Sequence, residues 1–236
     1  MKKRLLFFVY GLIFFVAVFF AQETASYVST LVANALLNIS PGQNLFANKF
    51  IHHIVQMLIA LAVILPLKHI YKQDFGFKLG DKKAGILHVS IFSLILAIFL
   101  IIRYFYLYST IPNIGYDYPV NSTNVLSDLA FQLFLSGPSE ELLFRALPIT
   151  LFIIVFKRSI KIKWFLTLEV LLAALLFSIA HLDSPKLDFQ ILYSFVLGIA
   201  YGVTYQKTGS ILYPICMHSL SNILSVGLGY LFYILY

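Results

Sequence analysis

The sequence predicts an all-α protein, a polytopic transmembrane helical bundle of about seven spans plus an amphipathic or interfacial N-terminal helix. Three observations carry this. Of 236 residues, 60% are hydrophobic and only 11% charged, and the mean hydropathy is +0.88, the composition of a chain that lives in lipid. Long apolar runs recur, and a run inside a bilayer must satisfy its own backbone hydrogen bonds, so these runs are helices; the alternation of a membrane barrel is absent. The net charge of +7 sits mostly in a few short loops, as the positive-inside rule produces. No basic face of useful size exists, so nucleic acid is excluded and the lipid bilayer is the expected partner.

The elements follow in order. Residues MKKR before Leu5–Ala21 resemble a signal peptide, but cleavage after Ala21 would place Phe19 where a small residue belongs. An uncleaved first span is expected, with the N-terminus cytoplasmic in the cell membrane. Glu23–Ile39 places Val28, Leu31, Val32 and Leu36 at helical spacing, predicting a separate amphipathic helix that ends at Pro41-Gly42. A second span covers Phe50–Leu67, with His52 and His53 at its outer end and no role assigned to either. Lys68, Lys72, Lys78, Lys82 and Lys83 mark a cytoplasmic loop. The third span is Ala84–Tyr106, and Tyr108–Thr123, without Lys or Arg, reads as external. Leu126–Phe156 is too long for one straight span, so Gly137-Pro138 is expected to break it, with Ser139 capping a new helix. Lys157, Arg158, Lys161 and Lys163 form the next inner loop. Trp164–His181, Phe189–Tyr205 and Ser210–Tyr236 complete the count. No repeat or linker divides residues 1–236, so one domain is expected. The single cysteine, Cys216, excludes an internal disulfide and a multi-cysteine metal site, and reads as a small buried residue.

Within Ser136–Arg145, SGPSEELLFR, two carboxylates and a guanidinium sit inside an apolar run. Intramembrane charges are costly and rare, and they face an interior or a wet cavity. Glu140 and Glu141 differ by about 100° around a helix, so they point to different places. Glu141 stands four residues before Arg145 and is placed to pair with it, leaving Glu140 free for chemistry. Phe177 and His181 share a face at the end of the fifth span, and His218 and Asn222 share a face of the last. Counted from the inner loops, Glu140 and His181 lie roughly 25–27 Å up, and His218 and Asn222 roughly 16–22 Å, which allows one shared pocket in the middle or outer half of the bilayer. There a carboxylate can act as general base on water, a histidine can share the proton, and a second histidine with an amide can hold an oxyanion. Alternatively, Glu140, His181 and His218 are a sufficient ligand set for zinc, although no HExxH helix supports this.

Glu140-Glu141-x-x-x-Arg145, Phe177-x-x-x-His181 and His218-x-x-x-Asn222, with SEELLFR and TGSILYPICMHSLSN around the first and third, resemble the three motifs of the CPBP intramembrane proteases. That family holds the CAAX-prenyl endopeptidases and the bacteriocin-processing or self-immunity (Abi) proteins. The resemblance covers residues 126–223 and implies a catalytic core there. It implies that Glu140 and His181 activate water, that His218 and Asn222 stabilise the oxyanion, and that Glu141, Arg145 and Phe177 support them, with no cofactor required and zinc as the alternative. The expected substrate partner is a membrane-associated protein or peptide, of CAAX type or a leader, bacteriocin or signalling peptide. Two other readings compete: a non-catalytic immunity or partner-binding protein that keeps the fold, and a small transporter with Glu140 as proton relay, for which internal repeats are missing.

Overall fold

The computed structural model describes residues 2–37, 45–111, 114–182 and 189–236. Helices dominate, as expected. Lys2–Leu37 forms one continuous helix, α1, rather than a span followed by a second helix. No Gly or Pro interrupts residues 12–37. The Ser29 and Thr30 hydroxyls donate back to the Ser26 carbonyl at 2.7 and 3.0 Å, so these polar residues are absorbed into the helix. The expected stop at Pro41-Gly42 lies outside the described residues. α2 (Leu45–Tyr71) packs along α1 and buries Gln56, Ala60 and Ile64, a stripe at i, i+4, i+8. α3 (Lys82–Thr110) starts at Asp81, whose carboxylate accepts from the Ala84 N–H.

The expected break at Gly137-Pro138 is the main departure. Ser122–Phe156 stays helical throughout: α4 (Ser122–Phe131), a π-helical turn (Gln132–Ser136), α5 (Gly137–Glu141), a second π turn (Leu142–Ala146) and α6 (Leu147–Phe156). Each π turn is followed by a proline, Pro138 or Pro148, in the first turn of the next piece. Proline has no N–H to give to the residue four back, so widening the preceding turn lets the helix continue where a regular ladder fails. Ser139 is therefore not an N-cap: its hydroxyl donates to the Ser136 carbonyl at 3.1 Å. Glu140 has no free helix N-terminus beside it, and neighbouring side chains must stabilise it instead.

Lys161–Lys163 (β1) and Leu166–Thr167 (β2) pair antiparallel, a hairpin where the sequence reading placed a loop and the start of the fifth span. The helix after it, α7 (Leu168–Ile179), has 12 residues. α8 (Phe189–Thr208) packs along α7, and α9 (Leu212–Leu235) contacts α3, α5, α8 and the first π turn. α2, α3 and α9 are long and apolar enough to cross a membrane. One core joins Ala60 and Ile64 to Leu143, Phe144, Leu147, Val170 and Phe177; a second joins Leu96 and Leu100 to Tyr201 and Met217. Cys216 is exposed, correcting the buried reading: its neighbours Met217 and His218 take the inward face of α9.

Candidate active site

Gly137 lets α5 meet α9 closely. A Cβ there would fall 2.5 Å from Ser219 Oγ and 3.2 Å from the Ile215 carbonyl oxygen. The Ser219 hydroxyl in turn donates to the Leu133 carbonyl at 3.0 Å. This contact brings Glu140 and Glu141, both buried, to the face of α9 that carries His218 and Asn222.

His218 lies between the two carboxylates. Its Nδ1 is 2.7 Å from Glu141 Oε1, and its Nε2 is 3.7 Å from Glu140 Oε2. The adjacent carboxylates do diverge, as helix geometry demands, but they diverge to opposite nitrogens of one ring. Glu141 is thus more than the partner of Arg145. The same Oε1 also lies 3.0 Å from Arg145 Nη1. Arg145 is wholly buried, with its guanidinium over Phe177 at 4.0 Å and near Tyr201 at 5.2 Å. Tyr201 stacks on His218 with centroids 5.0 Å apart and shares a 2.6 Å hydrogen bond with Ser221. Gly198 clears this space: a Cβ there would sit 3.2 Å from Arg145 Nη2 and 3.1 Å from Ala174.

His181 is placed by the end of α7. Its own N–H bonds the Ser178 carbonyl at 3.2 Å, leaving the Phe177 carbonyl, one of the orphan acceptors at a helix C-terminus. His181 Nδ1 takes that carbonyl at 2.8 Å, so Nδ1 carries the proton. Nε2 then lies 4.0 Å from Glu140 Oε2. The Phe177 ring packs edge-on to His181 at 4.5 Å. Asn222 reaches Glu140 through Ser136: Asn222 Nδ2 donates to Ser136 Oγ at 2.9 Å, and Ser136 Oγ donates to Glu140 Oε1 at 3.2 Å.

Three side chains at the site were missed in the sequence. Ser136 and Ser139 carry no spacing signal. His53 does: a histidine inside an apolar helix is a functional candidate by default, although its place at the outer end of the second span gives it no role in the sequence reading. It lies 2.7 Å from Ser139 Oγ and 3.8 Å from Glu140 Oε1.

Among the described residues, Glu140 Oε2 has no hydrogen-bond partner. It faces two imidazole nitrogens at 4.0 and 3.7 Å, too far for direct hydrogen bonds. For the zinc alternative, ligand atoms around one tetrahedral ion lie about 3.3–3.5 Å apart, closer than the 3.7 and 4.0 Å found here. Among the described residues no group of three or more His, Cys, Asp or Glu is arranged to hold a metal.

Residues 122–224 match the family of Rce1-like type II CAAX prenyl endopeptidases. No curated protein and no solved structure gives a match. The matched stretch contains all three motifs, so over these residues the chain is similar to the CAAX proteases.

Proposed function

We propose that this CAAX-protease-family chain is an intramembrane endopeptidase that hydrolyses a peptide bond of a membrane-associated protein or peptide, with water activated by Glu140. The observation that carries this is the buried, unpartnered Glu140 Oε2 facing His181 Nε2 and His218 Nε2. A carboxylate held this way is placed to take a proton from water while imidazoles hold the other reacting atoms.

The hydrogen bonds divide the work. His181 keeps its proton on Nδ1 for the Phe177 carbonyl, so its Nε2 accepts. In this mechanism His218 donates from both ring nitrogens, Nδ1–H to the Glu141 carboxylate and Nε2–H to the oxyanion. Water gives its proton to Glu140 and its oxygen attacks the carbonyl carbon. His218 Nε2–H, with the second Asn222 N–H, stabilises the oxyanion. Collapse breaks the C–N bond, and the proton held between Glu140 and His181 goes to the leaving amine. Arg145 and Phe177 act behind these groups.

The substrate is of CAAX type or a leader, bacteriocin or signalling peptide, and the protein resides in the cell membrane with a cytoplasmic N-terminus. The test uses the full chain in lipid vesicles with two internally quenched peptides, one farnesylated with a CAAX terminus and one unprenylated with a hydrophobic leader. Cleavage by wild type and not by Glu140→Gln supports the reading, and the peptide cleaved identifies the class. Equal cleavage by both proteins would refute Glu140 as the base.

A further inference from the structure

We propose that His53, on α2 and outside the matched stretch, is a positioning residue of the same site: its Nδ1–H fixes Ser139 and Glu140 so that Glu140 Oε2 faces His181 and His218. The inference deepens the endopeptidase reading and rests on it.

The proton assignment follows from the neighbours. The Ser139 hydroxyl hydrogen goes to the Ser136 carbonyl at 3.1 Å. With that hydrogen on the carbonyl, Ser139 Oγ accepts from His53 Nδ1 at 2.7 Å, the arrangement that puts the proton on Nδ1. The same N–H lies 3.8 Å from Glu140 Oε1, where its dipole favours negative charge. Ser136 Oγ–H approaches that oxygen at 3.2 Å. Ser136 thus donates to Oε1 and His53 stands on the same side through Ser139, which leaves Oε2 on the side of His181 and His218. His53 is itself located by an edge-on contact with Phe131 at 4.8 Å and by α2 packing on α5.

This places a wall of the site outside residues 122–224 and gives the N-terminal half of the chain a chemical reason to pack where it does. The carboxylate is flanked on one side by α2 and on the other by the imidazoles of α7 and α9. Anything that moves α2 by a fraction of a hydrogen-bond length changes the orientation of Glu140.

The test compares His53→Phe, His53→Asn and His53→Gln with wild type, as full chain in lipid vesicles, using the peptide that wild type cleaves. Phe keeps the ring contact with Phe131 and removes the donor. Asn places an N–H where Nδ1 stands, and Gln places it farther out. The expected result for His53→Phe is a kcat loss of roughly 10–100-fold with KM little changed. His53→Asn is expected to recover most of that loss and His53→Gln not. Wild-type kcat in His53→Phe, or equal losses in the Phe and Asn variants at matched unfolding temperature, would overturn the proposal. A readout that needs no turnover separates its failure from that of the endopeptidase reading. In ¹⁵N-histidine solid-state NMR, the signal absent from His53→Asn should be an Nδ1-protonated tautomer that shifts on Ser139→Ala. An Nε2-protonated or unshifted signal would overturn the role of His53 even if neither peptide is cut.

Discussion

His218 Nδ1 lies 2.7 Å from Glu141 Oε1, and this contact ties the second glutamate of the pair to the histidine beside Glu140. The carboxylate accepts from Nδ1 and so orients the ring. Nε2 is thereby aimed at the neighbouring Glu140. A buried Glu–Arg clamp would account for Glu141 and Arg145 alone, but this one also holds the histidine.

Arg145→Met should therefore destabilise the fold. It leaves Glu141 buried without its guanidinium partner, and breaking a buried ion pair costs about 3–5 kcal/mol. The measurement is the thermal unfolding midpoint in lipid vesicles, expected to fall clearly. Glu141→Gln, which keeps an acceptor for His218 but removes the charge, should lose kcat roughly 100-fold with a smaller change in KM. Wild-type kcat in Glu141→Gln would remove Glu141 from the mechanism.

Ser136 links Asn222 to Glu140, so Ser136→Ala and Asn222→Ala should not be additive. Each alone is expected to lower kcat/KM by roughly 10-fold or more. The double variant should fall short of the product, with a coupling of about 0.5–3 kcal/mol. Full additivity, measured with the peptide that wild type cleaves, would mean that the two side chains act separately.

Much of this site was legible because its parts are expensive in lipid. Glu140, Glu141, Arg145, His181, His218 and Asn222 stood out as polar groups in apolar helices, and helical spacing paired them within each segment. What spacing cannot give is contact between segments. The bridge from Glu141 to His218 crosses from α5 to α9, and His53 comes from α2, so neither has a local pattern. The continuous α4-to-α6 run was hidden for a different reason. Proline argues for a break in a regular ladder, and only the widened turns before Pro138 and Pro148 remove the conflict. The long α1 likewise shows that a change in polarity without Gly or Pro does not end a helix.

Gly198→Ala should disturb the site from a distance. The added methyl meets Ala174 at 3.1 Å and Arg145 Nη2 at 3.2 Å, forcing α7 from α8. Overpacking of this kind costs about 1–3 kcal/mol. The expected outcome is a lower unfolding midpoint and reduced kcat, whereas Gly227→Ala, where the nearest neighbour is at 4.0 Å, should change neither.

A chelator separates the two ways of activating water. With Glu140 as base, cleavage should persist after dialysis against EDTA and o-phenanthroline. Loss of activity that zinc restores would instead assign Glu140, His181 and His218 as ligands.

The most direct measurement compares peptide termini by mass spectrometry, in membranes and medium of the native host, for wild type, Glu140→Gln and His181→Ala at matched expression. The endopeptidase account predicts termini present with wild type and lost in both variants, which would identify the substrate and place the cut relative to the membrane. Identical termini in all three, with any wild-type phenotype kept by the variants, would contradict it and leave a membrane protein that holds the protease fold without the reaction.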